Sequence, residues 1–141
     1  MDVVNNTLFG NSQSGEISAQ GGDLGAFESS DVTFANNLVF TTGSHAPARA
    51  SQSTDVSFFN NVYVADREAQ YGGHNGDSDQ WISELGSSIL VDVGATPDPA
   101  LFLPVDGSVV ADSGTDLFSD VVGRDFFGRE RTIPDIGAFE G

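Results

Sequence analysis

The chain has 141 residues with 17 glycines, 11 phenylalanines, no cysteine and no lysine, and 21 acidic residues against five arginines give a net charge of −16. That length is expected to make one domain or a fragment of a larger one; the missing cysteines exclude a disulfide framework, and no apolar run approaches the roughly 20 residues of a membrane-spanning helix. So acidic a surface argues against nucleic acid, whose binding rests on Lys and Arg neutralising phosphates, and against anionic polysaccharides unless cations bridge the two.

Neutral sugars and divalent cations stay compatible with that charge, and solubility alone accounts for it equally well. The start, Met1-Asp2-Val3-Val4, has neither the basic nor the apolar stretch of a secretory signal.

In chain order, the first element is Val3-Val4, an Asn5-Asn6 pair and Thr7-Leu8-Phe9. The same arrangement returns at Asp31 to Phe40 around Asn36-Asn37, and at Asp55 to Val64 around Asn60-Asn61. The pairs stand 31 and then 24 residues apart. A unit recurring at such a period marks a stacked repeat protein, each unit burying its apolar face against its neighbours, and the period fits one coil of a β-solenoid. Asn accepts the left-handed backbone region better than other residues with side chains, so it bends a strand sharply without glycine. Its amide can also bond its equivalent in the next coil about 4.8 Å away, so one Asn of each pair is expected to join an asparagine ladder.

Between these units, Glu16-Ile17-Ser18-Ala19 and Leu24-Gly25-Ala26-Phe27 read as short strands, and Thr41 to Ser53 as a polar loop. Residues 66–87 read as a loop excursion, with a short helical turn over Asp79 to Leu85. Beyond it, Ser88 to Val93, Leu101 to Leu103, Ser108 to Ala111 and Asp120 to Val122 read as further strands separated by Gly, Pro and Asp. Arg124, Arg129 and Arg131 crowd the acidic tail, where Asp125, Glu130 and Asp135 are available to pair with them.

The tail carries three motifs. They are Gly107-Ser108-Val109-Val110-Ala111-Asp112-Ser113-Gly114, then Asp125-Phe126-Phe127-Gly128-Arg129, then Asp135-Ile136-Gly137-Ala138-Phe139-Glu140. Together with the Asn-Asn units, these resemble the C-terminal portion of bacterial right-handed parallel β-helix proteins, the pectate-lyase-like superfamily. Val109-Val110-Ala111 departs from the Pro-Ala-Ile which that family prefers. The resemblance implies an all-β fold, a short right-handed parallel β-helix of about five coils, truncated relative to full-length members. It also implies a secreted or cell-surface setting, and a relationship to polysaccharide lyases, hydrolases and adhesins.

Catalysis by such a lyase would need basic residues on one flank. The candidates are His45, Arg49, Arg67 and His74, two in each of successive loops. A hydrolase needs two carboxylates at a set distance, a condition that so many acids meet by chance. Tyr71, His74 and Trp81 are the candidate ligand contacts, although Trp81 also reads as packing against the solenoid flank. His74 to Asp79 offers oxygens at alternate positions, so Asp77, Asp79 and Glu84 are the candidate Ca²⁺ ligands. Asp112, Asp116 and Asp120 form a second such set.

The sequence therefore predicts a non-catalytic binding or assembly module that takes a neutral glycan through its flank loops. A remnant lyase or hydrolase and a structural stub without ligand are the alternatives. The first unit, having no neighbour before it, is expected to self-associate as a two-fold dimer.

Overall fold

Each Asn-Asn unit is built from β-branched and aromatic residues that alternate between two faces, so it forms two short strands with a bend between them. The computed structural model describes residues 1–9, 24–40, 48–64, 76–82, 89–90 and 98–141. The strands are β1 (Asp2–Val4), β2 (Thr7–Phe9), β3 (Leu24–Phe27), β4 (Ser30–Ala35), β5 (Leu38–Phe40), β6 (Ala48–Ser51), β7 (Thr54–Phe59), β8 (Val62–Val64) and β9 (Gln80–Ile82).

These strands make three parallel sheets, ordered β1-β4-β7, β2-β5-β8-β9 and β3-β6. The register keeps equivalent residues of successive units side by side: Val3, Phe34 and Phe58 in one row, and Phe9, Phe40 and Val64 in another. Like therefore stacks on like. The rings of Phe34 and Phe58 lie 4.7 Å apart, and those of Phe9 and Phe40 do the same.

The bends recur as faithfully as the strands. Asn5, Asn36 and Asn60 have φ of 54°, 53° and 54°. Glu28 and Gln52 form a second equivalent pair of left-handed residues, and Asp31 and Asp55 a third. Each costs about 1–2 kcal/mol of backbone strain in a residue with a side chain, less for Asn and Asp, so only a fold that pairs both flanking strands holds it.

Two apolar cores sit on opposite faces of the β2-β5-β8-β9 sheet. On one face Val39 and Tyr63 pack with Val32, Phe34 and Phe58, with Leu8 and Trp81 alongside. On the other, Leu38, Val62 and Val64 pack with Ile89, Leu90, Val110 and Ile136. Burial on both faces explains why Leu38-Val39-Phe40 and Val62-Tyr63-Val64 are continuous apolar runs rather than alternating ones.

Several expected elements differ. Gln80–Ile82 is a strand in register with β8, where the sequence suggested a helical turn, because Trp81 continues the row of Val39 and Tyr63. The expected excursion over 66–87 thus contains a sheet strand, and its remaining residues lie outside the described ones, save Gly76 to Asp79. Ala48–Ser51 is also a strand, paired with β3, where a loop was expected. The strand expected at Glu16 to Ala19 lies outside the described residues.

The strands expected beyond residue 98 are replaced by 3-10 turns at Pro99–Phe102 and Asp116–Phe118, and by loops. Asp98 and Thr115 start those turns by accepting the N–H groups of Ala100 and Leu117. The bridges there, Leu90 with Pro104 and Arg124 with Glu130, are antiparallel. Instead of lengthening the sheets, this segment lays Val110 and Ile136 over the outer face of one of them.

Candidate functional site

Asparagine side chains form two columns along the bends. In the first, Asn6 gives its backbone N–H and Nδ2 to Oδ1 of Asn37, both at 3.0 Å. Asn37 gives the same pair to Oδ1 of Asn61 at 3.0 and 2.9 Å, and Asn61 gives it to Oδ1 of Asp79 at 2.7 and 3.0 Å. The second Nδ2 hydrogen of Asn37 reaches back to the carbonyl of Val3, and that of Asn61 to the carbonyl of Phe34.

In the second column the donors run the opposite way, from Asn60 to Asn36 at 2.8 Å and from Asn36 to Asn5 at 3.4 Å. Both members of each pair are therefore used, where one was expected. Asn36, Asn37 and Asn61 are fully buried, so every bond left unmade there would cost about 1–3 kcal/mol.

The second column also fixes the C-terminal segment. Asn60 Nδ2 donates to the carbonyl of Ser113 at 2.9 Å, and Asn36 Nδ2 to that of Thr115 at 2.8 Å. Thr115 N–H returns a bond to Asn36 Oδ1, and Asn5 Nδ2 reaches the carbonyl of Asp135. Held at these points, the segment turns at Asp116–Phe118 and leaves a groove of about 930 Å³ between itself, the end of β7 and the Gly76 to Ser78 turn. Phe59 and Phe118 line it with their ring centroids 5.9 Å apart, beside Ser57, Ser78 and Asp77.

The protein-family models include none that the chain matches, and no curated protein matches it in sequence.

Among the described residues singled out in the sequence, Asp79 is the most heavily used. Besides the Asn61 pair on Oδ1, its Oδ2 accepts from the Tyr63 hydroxyl at 3.1 Å and from Gly76 N–H at 2.9 Å. Both oxygens are thus taken by the protein's own donors, and Asp79 ends the first column, since a carboxylate has nothing further to donate. Burial, reinforced by the Asp79 charge, raises the Tyr63 hydroxyl far above its ordinary value.

Asp77 is exposed on the groove, and its carbonyl accepts from Asn60 N–H. Trp81 packs on Tyr63 with centroids 4.8 Å apart, in the row of core residues. Arg49 lies in β6 opposite Gly25. His45, Arg67, Tyr71, His74 and Glu84 lie outside the described residues. Among the described residues no three acids or histidines converge as a metal site, so Asp112, Asp116 and Asp120 are not brought together as one.

The tail arginines pair as expected only in part. Arg124 does meet Glu130, at 2.9 Å in solvent. Arg131, its side chain 2% exposed, pairs with Glu140 at 2.7 Å and gives hydrogen bonds to the carbonyls of Asp135 and Gly137. Asp135 instead takes N–H groups of Asp112 and Gly141, and Asp125 takes those of Arg129 and Glu140. Burial raises the Glu140 carboxyl, and the Asp135 N–H and Arg131 pull it partly back. The groove itself had no sequence signal, because Phe59 and Phe118 come from segments with no shared pattern.

Proposed function

We propose that the chain is a short right-handed parallel β-helix of about five coils, akin to the C-terminal portion of the pectate-lyase-like superfamily, serving as a non-catalytic module that binds neutral glycan. The parallel register, the recurring left-handed bends and the closing Asp135 to Glu140 motif support the fold. One observation carries the function: the groove sets the Phe59 and Phe118 rings beside the Ser57 and Ser78 hydroxyls and the Asp77 carboxylate. Aromatic faces take the apolar C–H face of a sugar ring, and hydroxyl and carboxylate oxygens take its hydroxyl groups. With Asp77 on its wall and a net charge of −16, the groove disfavours uronate polymers.

The test is retention on a panel of neutral and uronate polysaccharides, followed by titration with oligosaccharides of any that bind. Phe118→Ala is expected to weaken binding by about tenfold, the loss of one aromatic contact, with near-ultraviolet dichroism of the core unchanged. Retention of no neutral polysaccharide would overturn the glycan reading. Release of unsaturated ends from a uronate polymer would replace it with the lyase.

A further inference from the structure

Asp77 stands beside Phe59 on the groove wall. The two residues form a parallel β-bridge, and Asn60 N–H holds the Asp77 carbonyl at 3.0 Å. Partners in such a bridge project their side chains to the same face, so the Asp77 carboxylate is a neighbour of the Phe59 ring. Gly76 allows this close approach, because a Cβ there would overlap the Phe58 carbonyl. Phe118 stands on the other side, its ring centroid 5.9 Å from that of Phe59. Asp77 is exposed, and among the described residues its carboxylate has neither an arginine nor an N–H group as partner. Of the described residues that line the groove, it alone carries a charge.

We infer that the groove prefers a glycan bearing a free amino group, whose ammonium lies against the Asp77 carboxylate and beside the Phe59 and Phe118 rings. The inference rests on the glycan reading of the same groove and goes further by naming the substituent. An ammonium is drawn to an aromatic face by the ring quadrupole, and to a carboxylate by its charge. A metal ion suits these groups poorly, since Ca²⁺ takes roughly six to eight oxygens and the groove offers one carboxylate beside two phenyl rings. Among the described residues no three acids or histidines converge to supply more. A ring that carries only hydroxyl or N-acetyl groups still packs on the aromatic faces, but it brings no charge to meet Asp77.

The probes are β-linked oligosaccharides of equal length built from glucose, from glucosamine and from N-acetylglucosamine, each titrated calorimetrically against the whole chain. The glucosamine oligomer is expected to bind about tenfold more tightly than the glucose oligomer, in which a hydroxyl replaces each ammonium, and than its own N-acetylated form. Asp77→Asn is expected to bring both ratios down to about one. Asp106→Asn removes the same charge at an exposed position outside the groove, and it is expected to keep both ratios. Equal binding of all the oligomers would overturn the inference and leave the glycan reading standing. So would a preference that survives Asp77→Asn, or one that falls as far in Asp106→Asn. Nα-acetyl-lysine amide binding as tightly as the glucosamine oligomer would also overturn it, because the ammonium would then suffice without a sugar. Failure of the glycan reading is read separately, as binding of none of the oligomers.

Discussion

Asn37 gives two hydrogens, from N and from Nδ2, to the single Oδ1 of Asn61, while its remaining Nδ2 hydrogen holds the carbonyl of Val3. One side chain thus ties three successive units together without solvent access. Asn37→Asp would replace that donor with an oxygen facing two acceptors. The expected cost is about 3–5 kcal/mol, read as a shift of the denaturation midpoint, against about 1–3 kcal/mol for Asn37→Ala.

Tyr63 makes stability fall at alkaline pH. Its folded-state value is raised above the ordinary 10, so the folded chain keeps a proton that the unfolded chain loses. That contribution is fully present below pH 10 and is lost as pH rises above it. The slope from this group is about 1.4 kcal/mol per pH unit. Unfolding measured between pH 9 and 11.5 is expected to show this slope in the parent chain and to lack it in Tyr63→Phe.

The Arg131 and Glu140 pair anchors the tail. Arg131→Met leaves Glu140 buried without its cation and frees two backbone carbonyls, at an expected cost of about 3–5 kcal/mol in urea unfolding. Glu140 itself is raised by burial, so the folded state holds its proton more tightly than the unfolded state does. Stability from this group is present at acid pH and declines as pH rises through the carboxyl range. Glu140→Gln is expected to remove that decline, as read from unfolding curves collected from pH 4 upward.

Gly137 sits at φ +109°, and a Cβ there would stand 2.7 Å from Thr7 Oγ1, the atom that accepts Ala138 N–H. Gly137→Ala combines a strained backbone with a clash, and about 2–4 kcal/mol of destabilisation is expected. The loss should appear first as faster amide exchange at Ala138 and Ile136, while the Phe34 and Phe58 row stays protected.

Gly76 tests the turn that feeds Asp79. A Cβ there would overlap the carbonyl of Phe58, at 1.4 Å, so Gly76→Ala must displace backbone and not merely a side chain. The Gly76 N–H bond to Asp79 Oδ2 is then lost, and the cross-peaks of the Tyr63 and Trp81 rings are expected to weaken.

What the sequence determined by itself is whatever repeats. The Asn-Asn pairs, the apolar runs around them and their spacing of 24 to 31 residues specify parallel strands in register, because a repeated local pattern forces every unit to the same bend and the same row. The bends at Glu28 and Gln52 were equally periodic, but their residue types differ and do not stand out. Asp31 and Asp55, though alike, open their units without a glycine or an Asn pair to mark a left-handed bend.

Tertiary structure decided whatever does not repeat. Asp79 ends a column of asparagines only because β9 pairs with β8, and residues 98–141 leave the sheet pattern because their apolar side chains find the outer face of β5 and β8 already built. Phe59 and Phe118 meet across a groove, and Arg131 chooses Glu140 over Asp135, through bonds that join distant segments. Packing between such segments depends on the shape of surfaces that form only after folding, and no spacing in the chain encodes it.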